Sequence, residues 1–381
     1  MPAVSETGDP LLLTPGPLTT SKTVKTAMLH DWGSRDATFI RMNAEVLERI
    51  AVLAGGADTH VTVPVQGSGT FAVEAMLTNF VPRGGKVLIL VNGSYGKRAV
   101  KICQYAGRAH AVLETLEDTP PDVGRVAAAL ATDSSISHIF AVQCETTSGI
   151  LNPIAEIGAA VAKAGRRFLL DAMSAFGALP LDARQTRFDA MAASSNKCLE
   201  GVPGIGYVVC RTEALEETKG NATSLSLDLH DQWMTMAATK QWRFTPPLQV
   251  IAALHRAIEE HAAEGGVAGR GARYVANCKI LVEGMRALGF ETLLPDRLQA
   301  PIIVTFHMPR DPRFDFQHFY DSLKERGYVI YPGKLTVAES FRIGCIGRLS
   351  ADHMHGALEA IRAVLDKMGV TDCGPRRVSG T

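Results

Sequence analysis

The sequence predicts an α/β fold, a mostly parallel central sheet flanked by helices, with a smaller α+β C-terminal domain. Up to about residue 265, short apolar runs alternate with longer stretches of helical spacing, and runs apolar on both faces mark strands buried between two helix layers. The glycine-rich stretch Gly265-Gly266-Val267-Ala268-Gly269 then interrupts the pattern, and a different arrangement of strands and helices follows. At 381 residues the chain is also too long for one small core.

Taken in order, strands are expected over 61–65, 87–91, 138–142, 168–170, 189–193 and 206–210, where apolar and β-branched residues cluster. Helices are expected between them over 70–81, 96–106 and 153–164, and after them over 248–264. Past the glycines come a helix over 270–288, strands over 302–306, 328–331 and 341–343, and helices over 316–326 and 351–368. The divisions are an N-terminal segment (1–20), a large domain (21–265), a small domain (266–370) and a loose polar tail (371–381).

Lys+Arg and Asp+Glu both number 39, so no global field draws the chain to nucleic acid or an acidic membrane, and an anionic ligand must be caught locally. The seven cysteines include no CxxC pair, which predicts neither a disulfide framework nor a zinc cluster. His353-Met354-His355 lacks a third ligand and reads as a helix start, so no metal is expected. Residues 1–10 are polar and no apolar run reaches the ~18 residues of a membrane span. The expected location is the reducing cytoplasm.

Lys197 lies in Ser194-Ser195-Asn196-Lys197-Cys198, between an apolar run and the glycine-rich residues 201–206. Upstream, Phe168-Leu169-Leu170 ends in Asp171. A strand-end lysine usually points to solvent. Paired with a strand-end acid, it suits pyridoxal phosphate chemistry, in which lysine bonds the cofactor and the acid pairs with its pyridinium nitrogen. Gln66-Gly67-Ser68-Gly69-Thr70 joins a strand to a helix, where free N–H groups and two hydroxyls suit a phosphate. Gly67, Gly69 and Ala72 also fit a dinucleotide fingerprint, but the next strand ends Val91-Asn92-Gly93 without the acid that would hold a ribose. A single phosphate is therefore preferred.

These motifs, with Asn92-Gly93-Ser94-Tyr95-Gly96, resemble the class V aminotransferases of fold type I, over residues 11 to 368. Residues 12–18, 223–229 and 242–245, with Tyr331-Pro332-Gly333-Lys334 and Phe341-Arg342-Ile343-Gly344, resemble the members that move an amino group from 2-aminoethylphosphonate to pyruvate. The resemblance implies that Lys197 carries the cofactor and shuttles the proton, and that Asp171 keeps the pyridine nitrogen protonated. It implies that Tyr95 stacks on the ring and that Ser68, Gly69 and Thr70 bind the phosphate. Thr146 or Thr147 would meet the ring hydroxyl, unless they only cap the following helix. Asn196 would support the phosphate or ring edge, Thr245 would reach the phosphate of a neighbouring subunit in a homodimer, and Arg342, aided by the backbone at Gly16, would bind the substrate anion. The segment His30-Asp31-Trp32-Gly33-Ser34-Arg35-Asp36 departs from the pattern expected near the substrate entrance. An alanine– or serine–glyoxylate transaminase is the nearest alternative, and a cofactor-free phosphate-binding protein a more distant one. A desulfurase would need a mobile reactive cysteine, whereas Cys345 falls in a strand pattern.

Overall fold

In the computed structural model, residues 2–335 and 338–375 are described. Seven strands form the main sheet, in the order His60–Gly67, Gly204–Arg211, Ala190–Ser194, Arg167–Asp171, Ile136–Val142, Lys86–Val91 and Ala109–Glu114. Only Gly204–Arg211 runs antiparallel to its neighbours. Both faces are covered, as the continuous apolar runs require. Leu88 and Leu90 enter one core while Val87, Ile89 and Val91 enter the other, and Phe168 and Leu170 part from Leu169 in the same way.

The expected strands and helices of this region form, and further elements join them. Ala109–Glu114 escaped notice because it is an edge strand with Val112 exposed, so it lacks the two-faced apolar run of its neighbours. Helix Ala37–Leu53 is capped by Asp36, whose carboxylate accepts from Thr38 N–H at 2.7 Å.

Past residue 265 the expected break is narrower. Gly265 and Gly266 are both left-handed (φ +99° and +67°), and the next helix begins at Gly266 and runs to Ala287. The later glycines in this stretch serve close packing: a Cβ on Gly269 would lie 1.9 Å from the Glu264 carbonyl oxygen, and one on Gly271 2.4 Å from that of Ala178. The expected strand over 328–331 is divided. Tyr328–Val329 pairs in parallel with Leu11–Leu12, while Tyr331–Pro332 pairs with Ser340–Gly344 in a three-stranded sheet whose other member is Ile303–His307. Pro332 cannot donate to a ladder and stands on an edge strand. Leu11 and Leu13 are buried in the core beneath this sheet, so the N-terminal segment packs with the C-terminal elements.

The expected loose tail is corrected for residues 371–375. Thr371 N–H donates to Asp311 at 2.9 Å, Cys373 is buried, and Pro375 bridges Pro309. Residues 376–381 of that expectation lie outside the described residues. Helix Ala351–Met368 opens with a capping box between Ser350 and His353, which accounts for the His353-Met354-His355 run. No helix among the described residues is long and apolar enough to cross a membrane.

Candidate active site

The parallel strands deliver their carboxyl ends to one side of the sheet, where ligands of open α/β folds gather. Asp171 is the last residue of one strand, Lys197 follows the adjacent strand, and Ser68 opens the helix that follows His60–Gly67. Together they border a cavity of about 170 Å³, which Gly69, Thr70, Tyr95 and Asn196 also line.

Lys197 Nζ donates to the carbonyls of Pro15 (2.9 Å) and Gly16 (3.4 Å). Burial pulls its pKa below the ordinary lysine range, against opposing pulls from Tyr95, Cys198 and Asp171. Gly16 is left-handed (φ +116°), and a Cβ there would come within 2.4 Å of Nζ. Its own N–H is directed to Thr14 Oγ1 (3.3 Å), so the carbonyl of Gly16, rather than its N–H, faces the lysine.

Asp171 is buried, accepts from Met173 N–H at 2.9 Å, and makes no ion pair among the described residues. Burial pushes its pKa up to about 6. A carboxylate so placed calls for a cation within the cavity. Across the cavity, Ser68 occupies the N-cap of helix Gly69–Phe80 with no side-chain bond to the helix. Gly69 and Thr70 of its first turn line the cavity, and Thr70 Oγ1 accepts from Arg98 Nη1 at 3.0 Å. This end suits an anion. A Cβ on Gly69 would press within 2.3 Å of Met173 Sδ, which explains that glycine. A flat molecule with a phosphate at one end and a protonatable ring nitrogen at the other fits both ends, and pyridoxal phosphate is such a molecule.

Tyr95 is the second residue of the helix Ser94–Tyr105 and pairs with the Thr146 side chain. Burial alone would raise its pKa, but that bond and the charges of Lys334 and Lys197 lower it. Thr147 Oγ1 donates to Glu145 at 2.6 Å and accepts from Ser94 N–H at 2.9 Å. Thr147 thus caps the Tyr95 helix, and neither threonine caps the helix that follows, whose N-cap is Pro153. Glu145 Oε2 accepts from Tyr95 N–H (3.1 Å) at the same helix end, and burial raises its pKa. Asn196 Oδ1 accepts from Ser194 Oγ at 3.0 Å.

Arg342 is buried, with Nη1 on the Thr146 carbonyl (2.7 Å) and Nε on that of Pro332 (3.1 Å). It has no acidic partner among the described residues, and burial draws its pKa down. Thr245 lies apart, in a separate cavity of about 370 Å³ with Ser34, Arg35 and Trp242, so one chain does not bring it to Lys197. Cys345 is fully buried, its N–H on the Ile302 carbonyl at 3.0 Å.

Arg98, Glu145 and Lys334 carry charge here without an expected role. Arg98 was within reach of the sequence, because Tyr95 and Arg98 share a helix face three residues apart, and the guanidinium stands 4.9 Å from the ring centroid. Glu145 gives no such signal, since its task is set by the fold.

A family model for class V aminotransferases matches residues 21–350. A 2-aminoethylphosphonate–pyruvate transaminase from Pseudomonas fluorescens is 53% identical over 364 residues, spanning 96% of this chain and 99% of its own length. One from Pseudomonas putida is 52% identical over 363 residues, spanning 95% of this chain and 99% of its own. The solved structure of pyridoxamine–pyruvate aminotransferase from Mesorhizobium loti superposes with a TM-score of 0.87 at 23% identity, covering 97% of this chain and 95% of that one, a likeness of fold. With a family pattern running from residue 21 to residue 350 and relatives aligned along nearly all of its length, the chain belongs to the class V aminotransferases.

Proposed function

We propose that this chain moves the amino group of 2-aminoethylphosphonate to pyruvate, giving phosphonoacetaldehyde and L-alanine, with pyridoxal phosphate as cofactor. The observation that carries this reading is Arg342, a buried guanidinium without an acidic partner among the described residues, close enough to Tyr95 of the lysine cavity to feel its charge. Its planar fork takes a phosphonate in one half of the reaction and a carboxylate in the other. The 2-aminoethylphosphonate–pyruvate transaminases at about half identity over nearly the full chain supply the substrate pair.

When bound, pyridoxal phosphate supplies an electron sink and a carrier for the amino group. Ser68, Gly69 and Thr70, with Arg98 behind Thr70, would hold its phosphate, Asp171 its ring nitrogen, and Tyr95 its face. Asn196 would support an edge, and Thr146 or Thr147 would meet the ring hydroxyl. Lys197 is the attachment point. Once released, its lowered pKa lets Nζ take a proton from the carbon bearing nitrogen and return it one position away. Gly16 keeps the space beside Nζ clear and steadies it through the carbonyl.

The same reading has residues 21–265 hold the cofactor, residues 266–370 bring Arg342, residues 1–20 close the site, and leaves residues 371–381 as a terminal tail. It includes a homodimer in which the partner subunit's Thr245 completes the phosphate site, in keeping with the position of Thr245 on a cavity away from Lys197. It includes a cytoplasmic location, supported by seven free, buried cysteines.

The test is the visible spectrum of the purified protein before and after 2-aminoethylphosphonate is added without pyruvate. The yellow band is expected to bleach and to return with pyruvate. A band that ignores this amine but bleaches with alanine or serine would move the chain to a glyoxylate-type transaminase. Arg342→Ala is expected to leave the band intact while raising KM for the aminophosphonate about 100-fold or more. Unchanged turnover would sink the role of Arg342.

A further inference from the structure

We infer that Lys334 is the specificity-determining cation of the substrate site, the residue that answers the second negative charge of a phosphonate. The inference rests on the donor and acceptor proposed above. Lys334 follows the Tyr331–Pro332 strand, which pairs directly with the strand bearing Arg342, with Tyr331 opposite Arg342. The register places Lys334 three residues beyond the residue paired with Arg342, which sits on the central strand. Lys334 Nζ lies 4.4 Å from the centroid of the ring of Tyr95, a residue that lines the lysine cavity. Among the described residues it forms no ion pair, and its charge is felt by both Tyr95 and Lys197.

The chemistry of the two substrates sets the charge count. Pyruvate brings one negative charge, which the Arg342 fork satisfies. A phosphonate that has lost its second proton brings two charges and a third oxygen, and a single guanidinium leaves one charge unanswered. A lysine is a compact charge on a flexible stem, able to rest on an aromatic face and swing to an anion. An arginine held by two carbonyls cannot make that movement. Lys334 therefore rests on Tyr95 when a carboxylate occupies the site and turns to the anion when a phosphonate does. Had it only braced the Tyr95 ring, its loss would weaken both substrates alike.

The experiment uses the cofactor-loaded wild type, Lys334→Met and Lys334→Arg, with ethylphosphonate and propanoate as probes that carry the two anions but no reacting group. Calorimetric titration at pH 8 is expected to show Lys334→Met weakening ethylphosphonate roughly tenfold to fiftyfold and propanoate less than threefold. Lys334→Arg should restore most of the difference. In turnover, KM for 2-aminoethylphosphonate should rise by a similar factor against a small change for pyruvate. Equal losses for the two probes, or none, would overturn the role of Lys334. A wild type that neither binds ethylphosphonate nor turns over the aminophosphonate would overturn the proposed substrate pair as well, so the two failures are told apart.

Discussion

Lys197→Ala is expected to reduce amino transfer by about 10⁴-fold or more, because one side chain serves as both the attachment point and the proton carrier. Neither Asp171 nor Tyr95 should substitute. In the proposed reading Asp171 is reserved for the ring nitrogen, and Tyr95 is paired with the Thr146 side chain. The variant should still fold, since Lys197 contributes two bonds to carbonyls in a polar pocket rather than core packing. The measurement is single-turnover mixing with 2-aminoethylphosphonate, alongside gel filtration to learn whether the yellow colour stays with the protein. Colour should wash away more readily than from wild type. Turnover within tenfold of wild type would remove Lys197 from the reaction.

Asp171→Asn should lower turnover by roughly 10³-fold and, in the cofactor-free protein, raise stability. The second effect follows from burial. Burial raises the folded carboxyl to about 6, above the ordinary 3.8, so the folded state binds a proton more readily than the unfolded state. The penalty for keeping it ionised is complete above pH 6, shrinks as pH falls toward 4 and vanishes below that. At 1.36 kcal/mol per unit it reaches about 3 kcal/mol at most. Denaturant unfolding at pH 8 should find the asparagine protein about 1–3 kcal/mol more stable without cofactor, the gain fading by pH 4. With cofactor bound the order should reverse, because the ring nitrogen supplies the missing cation. Equal stability at pH 8 would mean that Asp171 is not a strained, waiting anion.

Legibility in the sequence followed how local each cause was. The main sheet strands were readable because burial on both faces demands unbroken apolar runs. Edge strand Ala109–Glu114, free of that demand, left no such mark. Lys197, Asp171 and the Ser68–Thr70 turn announced themselves because a strand end or a helix start is written in adjacent residues. The split at residue 330 was not legible, since it depends on Leu11–Leu12 arriving beside Tyr328–Val329. The tasks of Glu145 and Thr147 were hidden likewise, each capping a helix that begins about fifty positions earlier in the chain. The Gly265–Gly269 stretch misled for another reason: glycine at a close contact looks the same in sequence as glycine at a break.

The pairing of Leu11–Leu12 with Tyr328–Val329 also governs when activity can first exist. A growing chain makes its first strand at once but must wait for nearly its last before that strand has a partner. Until then, Pro15 and Gly16 have nothing to hold them against Lys197. A chain halted between residues 212 and 327 would therefore carry the main sheet and Lys197 but leave Leu11–Leu12 without its partner strand. Such fragments should be unable to turn over substrate, because the strand that seats the Lys197 contact is made long after the lysine itself.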